Sequence, residues 1–199
     1  MSTSFRPEQQ KILDRLAELY SEMEQAYNAV AAQIGLSCQA CSQNCCTSYF
    51  QHHTYLEWAY LWRGLQQCSK QARQTFQVRA REYVQKSREL LHQGLQPNIM
   101  CPLNEQGWCS LYPYRLMICR LHGVPNQVLM PNRELKRFPG CQQSQRLTAG
   151  LQDPPVLDRT GLYTSLANLE KGLLGTVRNK LPRVKLTLAE MICQGRPRI

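Results

Sequence analysis

A chain of 199 residues with 43% hydrophobic side chains can bury a core of its own, so it does not depend on disulfides for a fold. No run of about 18 apolar residues occurs, which argues against a membrane helix, and the opening "MSTSFRPEQQKILDRL" lacks the basic-then-apolar pattern of a secretory signal. The net charge is +10, with 10 basic and 9 acidic side chains in residues 1–109 against 14 and 5 in residues 110–199.

These features lead us to expect a cytoplasmic protein without a membrane segment. In that reducing compartment ten cysteines point to metal or redox chemistry rather than to disulfides. The basic half is either a solvated surface or a face for an anionic partner. Four thiolates around a divalent metal carry a net −2, so two such sites would lower the chain's +10 to +6. That argues against nucleic acid as the partner.

The first predicted element is a helix over residues 7–34. Pro7 suits a first turn. Ile12, Leu16, Leu19, Met23, Tyr27, Val30 and Ile34 recur at three- and four-residue steps and form one core stripe, closed by Gly35. A cysteine knot follows. Thr54 and Glu57 then make a capping box that opens a helix over 55–67, with Leu56, Trp58, Leu61, Trp62 and Leu65 as its apolar residues. Ser69 caps a helix over 70–93, with Phe76, Ala80, Tyr83, Leu90 and Leu91 inward, ended by Gly94.

Residues 95–155 hold most of the prolines and lack helical periodicity, except for a short strand pair expected around "QVLMPNRELKRF". So long an irregular stretch needs something to order it, and metal would do so. Helical spacing returns from Asp158 to Lys180 through Leu162, Leu166, Leu169, Leu173 and Val177, with Asp158 as cap. Thr187 and Glu190 box a short last helix. The expected fold is mainly α: a single helical domain over 1–199. It comprises an N-terminal helix at 7–34, a cysteine-rich, loop-rich metal-binding region at 36–141 and C-terminal helices at 156–195.

The knot "SCQACSQNCC" supplies Cys38, Cys41, Cys45 and Cys46. Cys-x2-Cys spacing lets two thiols of one turn reach one metal. Adjacent side chains in an extended chain point oppositely, so Cys45 and Cys46 do not both suit one zinc. One of them turns to a second metal or to a wider multi-iron cluster. A second set is Cys101, Cys109, Cys119 and Cys141, mostly beside turn residues. Eight candidate ligands allow two metals, one polynuclear cluster with spare thiols, or one site drawn from both sets. Cys68 and Cys193 read as structural thiols. Among histidines, His52, His53 and His122 follow the cysteines closely, and outer-shell hydrogen bonding is their expected role. His92 suits a helix C-terminus. Tyr112, Tyr114, Arg115 and Arg120 surround the second set and can hydrogen-bond thiolates and offset their charge. No phosphate-binding glycine loop and no Gly-x-Ser-x-Gly elbow occurs.

"CQACSQNCC", then "CPLNEQGWCSLYPYRLMICRLHGVP" and "FPGC", resembles the YkgJ-like cysteine-cluster family, described as zinc- or iron-chelating. The likeness runs over residues 36–141. Two details depart from the family pattern: three residues separate Cys41 from Cys45 where two are usual, and Arg115-Leu116 stands for Arg-Pro. The resemblance implies a metal site on the eight cysteines. Through a related branch, the flagellin lysine N-methylases, it implies iron–sulfur chemistry with S-adenosylmethionine as a cosubstrate. The expectation is therefore an iron–sulfur protein, with 4Fe–4S favoured and a redox or methyl-transfer role, acting on an unidentified protein or small molecule. His53, Arg115, Arg120 and His122 are the expected outer-shell residues. The alternative is a zinc-stabilised interaction module that uses the basic C-terminal half to hold a protein or nucleic acid.

Overall fold

The structure is a computed structural model that describes residues 5–38 and 45–199, with Cys45 by its backbone alone. The described residues are mainly helical, as expected. In chain order they form α1 (Pro7–Gln33), a 3-10 turn at Cys45–Thr47, α2 (Tyr55–Gln67), α3 (Lys70–His92), β1 (Asn104–Glu105), β2 (Trp108–Cys109) and a 3-10 turn at Tyr112–Tyr114. Then come α4 (Met117–Leu121), β3 (Asn126–Leu129), β4 (Leu135–Phe138), α5 (Gln142–Thr148), β5 (Leu157–Asp158), α6 (Thr160–Leu174), a 3-10 stretch at Gly175–Lys180 and α7 (Leu188–Gln194). No helix among the described residues is long and apolar enough to cross a membrane.

The helix ends follow from local chemistry. Pro7 opens α1, whose N-cap Arg6 N–H is accepted by the Gln9 side chain at 3.0 Å. Thr54 Oγ1 accepts from Glu57 N–H at 3.2 Å to start α2, and Ser69 Oγ accepts from Ala72 N–H at 3.1 Å to start α3. Thr187 and Glu190 form a reciprocal box at α7, with Glu190 N–H on Thr187 Oγ1 and Thr187 N–H on Glu190 Oε2. The expected strand pair is β3 with β4, antiparallel, Asn126 opposite Phe138. β5 joins β3 in parallel.

Two expectations need correction. The helix expected to run from Asp158 to Lys180 ends at Leu174, because Gly175 takes φ +49° and the chain tightens into a 3-10 stretch that leaves Val177 exposed. Asp158 lies just ahead of the helix, where its carboxylate accepts from Thr160 N–H and Oγ1–H, and those bonds hold it below the usual carboxylate range. Leu91, placed inward from the sequence, is exposed in the last turn of α3.

The chain divides into two compact units. The first is Met1–Cys45 with Met117–Leu173, and the second is Cys46–Leu116 with Leu174–Ile199. In the first, α4 and β5 lie against α1, which buries Leu13, Leu16, Tyr20 and Met23. In the second, α7 packs on α3 and α2. Its core joins Tyr55, Trp58 and Leu61 of α2 and Phe76 and Tyr83 of α3 to Leu103, Leu111, Leu116 and, from α7, Met191 and Ile192. The Trp58 indole donates to Gly195 O at 2.7 Å, and the Tyr55 hydroxyl to Pro182 O at 3.0 Å, which ties down the C-terminal segment.

Gly64 of α2 faces Tyr114 so closely that a Cβ would overlap the ring. Alanine is the better helix former by about 1 kcal/mol, yet overpacking costs about 1–3 kcal/mol. Gly64→Ala is therefore expected to lower the free energy of unfolding by up to about 2 kcal/mol in urea titration. A gain in stability would contradict this packing.

Candidate metal centre

Of the eight sequence-predicted ligands, the structure describes the side chains of six. Cys41 lies outside the described residues, and so does the side chain of Cys45. The boundary between the units falls between Cys45 and Cys46. Cys38, Cys119 and Cys141 belong to the first unit; Cys46, Cys101 and Cys109 belong to the second. The later set is thus split two and two.

In the second unit, backbone bonds link the segments that carry the three cysteines. Cys101 N–H donates to Cys46 O at 3.0 Å, and Asn104 N–H donates to Cys101 O at 3.0 Å. Asn104 stands directly opposite Cys109 in the β1–β2 hairpin. Gln106 (φ 51°) and Gly107 (φ 91°) turn that hairpin, both in the left-handed region that a tight type I′ turn requires. Asn104 Oδ1 accepts from Gly107 N–H at 3.1 Å, which orients the amide and leaves its Nδ2 buried without an acceptor. Tyr83 of α3 is held protonated, its pKa pushed up to about 12 by burial and then by Cys101 beside it.

In the first unit, Cys141 N–H donates to Gly123 O at 2.9 Å, and the Cys141 sulfur accepts from Ser144 N–H at 3.5 Å as the cap of α5. The Ser144 hydroxyl is buried without a partner. Cys38 Sγ is 3.9 Å from the Tyr27 hydroxyl. Cys119 sits on α4, half-buried. Among the described residues, no three histidines, cysteines, aspartates or glutamates stand in metal-holding geometry.

Arg120 is buried, stacked on the Tyr20 ring at 4.4 Å with Glu24 at 3.7 Å, so it anchors α4 to α1. Arg115 covers the Tyr112 ring at 3.5 Å and donates to Tyr112 O. His53 Nδ1–H donates to Val184 O at 3.3 Å. Burial pushes the His122 imidazole below its usual value. Cys68 and Cys193 fit their structural reading. Burial raises both thiols, which favours the protonated form, and Cys68 S–H, at the C-cap of α2, donates back to Gly64 O. Sequence reasoning missed Asn104 and Ser144 and took Tyr27 for core. The signals available were an amide in the turn between two cysteines and a phenol in an otherwise aliphatic stripe.

The second unit also carries the charge. It holds 14 basic and 5 acidic residues, net +9, against 10 and 9, net +1, in the first. No protein-family model, curated protein or solved structure matches the chain.

His52 ties two segments of the second unit, exchanging backbone hydrogen bonds with Leu186 at 2.7 and 3.1 Å. Burial lowers its pKa from 6.5, outweighing the raising effect of Glu57, and His53 lowers it further. The unfolded chain therefore takes up this proton first, so the stability tied to neutral His52 is full above about pH 6.5 and falls as pH drops through the folded value. The urea midpoint is expected to decline below pH 6.5 more steeply in the native sequence than in His52→Gln. Parallel curves would contradict this.

Proposed function

We propose that the chain is a metal-binding protein whose clustered cysteines ligate metal in each of its two units. What supports the reading most is that, in both units, a residue paired or hydrogen-bonded to a candidate cysteine carries a buried polar hydrogen without an acceptor: Asn104 Nδ2–H, opposite Cys109 in the hairpin, and Ser144 Oγ–H, whose own N–H donates to the Cys141 sulfur. Buried donors left unpaired cost about 1–3 kcal/mol. A thiolate or a cluster sulfide is the acceptor that such a donor suits. Cys46, Cys101 and Cys109 would hold metal in the second unit, and Cys38, Cys119 and Cys141 in the first. The knot offers Cys41 and Cys45 as further ligands.

An all-thiol donor set with more sulfurs than one tetrahedral shell needs fits an iron–sulfur cluster, which is our first reading. The second unit is its better host, because a net +9 offsets an anionic cluster. Zinc in a structural role is the second reading. It is favoured by the division of the described thiols into three and three, each set one thiol short of a tetrahedral shell. Either metal would order residues 95–155, since metal-binding free energy becomes folding free energy. A methyl-transfer role with S-adenosylmethionine rests on the resemblance to the methylase branch alone.

The test is metal and acid-labile sulfide analysis with a visible spectrum on protein purified without oxygen. Brown protein with iron and sulfide in equal amounts, about four of each for every unit that holds a 4Fe–4S cluster, would match the first reading. Colourless protein with stoichiometric zinc would select the second reading. Protein that retains no metal and takes up none under reducing conditions would overturn both.

A further inference from the structure

We infer that the thiol set of the first unit is organised on Gly123 and that the Tyr27 hydroxyl is a positioning residue for its metal; the inference rests on metal binding by the cysteines. Tyr27 lies on α1, and its Oη stands 3.9 Å from Cys38 Sγ. Gly123 follows α4, and a Cβ there would run into that same hydroxyl. Only glycine lets the phenol lie against the backbone at this point. Gly123 O then accepts the Cys141 N–H at 2.9 Å. Gly140 (φ +81°) permits this approach, because a Cβ on it would come within 2.6 Å of Gly123 O. Two glycines and one phenol therefore link Cys38 and Cys141 through Gly123, with Cys119 about one helical turn before it in the chain.

The phenol supplies chemistry that a phenyl ring would not. Metal binding requires deprotonated cysteines, and a thiolate accepts hydrogen bonds far better than a thiol. The Tyr27 O–H donates to the Cys38 sulfur once it is metal-bound, a charge-assisted bond that draws negative charge off the sulfur. Outer-shell donors of this kind typically govern metal affinity by about 10–100-fold.

The experiment strips the full chain of metal under reducing conditions and reloads it with cobalt(II) alone, as native sequence and as Tyr27→Phe, which keeps the ring in place. Expected for Tyr27→Phe is the same cobalt per chain, a thiolate-to-cobalt charge-transfer band moved to longer wavelength, and release to a chelator about 10-fold faster from one class of sites. An unchanged spectrum and release rate would overturn the role of Tyr27 and leave metal binding standing. A native chain that takes up no cobalt would overturn both.

Discussion

The hydrogen bond from Cys101 N–H to Cys46 O joins two segments separated by the whole of α2 and α3. Thiolates repel one another, so sulfurs distant in sequence would converge on a metal only where the backbone brings their segments together. In the second unit this bond, the turn from Cys101 to Asn104 and the β1–β2 hairpin carry that constraint from Cys46 to Cys109. In the first unit the bond from Cys141 N–H to Gly123 O plays the same part. Neither bond involves a side chain, so the assembly depends on backbone geometry and on the glycines that permit it.

That dependence explains what was legible in the sequence. Helix starts are local: Thr54, Ser69 and Thr187 each cap within three residues, and each cap was readable. The β3–β4 strand pair lies in the stretch where one was expected. The end of α6 turned on Gly175, which helical spacing alone hides, since Val177 continues the pattern in register while the backbone has already changed course. The grouping of thiols was not readable at all. Cys109 and Cys119 are ten positions apart and fall in different units, whereas Cys38 and Cys141 are remote and share one. Spacing constrains ligands within a loop, not across a fold.

The adjacent pair Cys45–Cys46 gains a simple physical sense from the division into units. The sequence suggested that one of the two turns to a second metal or to a wider multi-iron cluster, and the boundary between the units falls on the bond between them. The charge also separates: the second unit carries net +9, where three half-buried thiols would each become negative on binding metal. Basic surroundings lower the cost of thiolates, so the second unit's net charge would suit a thiolate set there.

The central claim is that there are two thiol centres, divided as the units divide. It is tested most directly by metal content in two paired substitutions, Cys101→Ser with Cys109→Ser and Cys119→Ser with Cys141→Ser. The account predicts that each pair abolishes one portion of the bound metal, that the other portion stays, and that the two lost portions sum to the whole. Loss of all metal from either pair would mean a single shared centre and would contradict it.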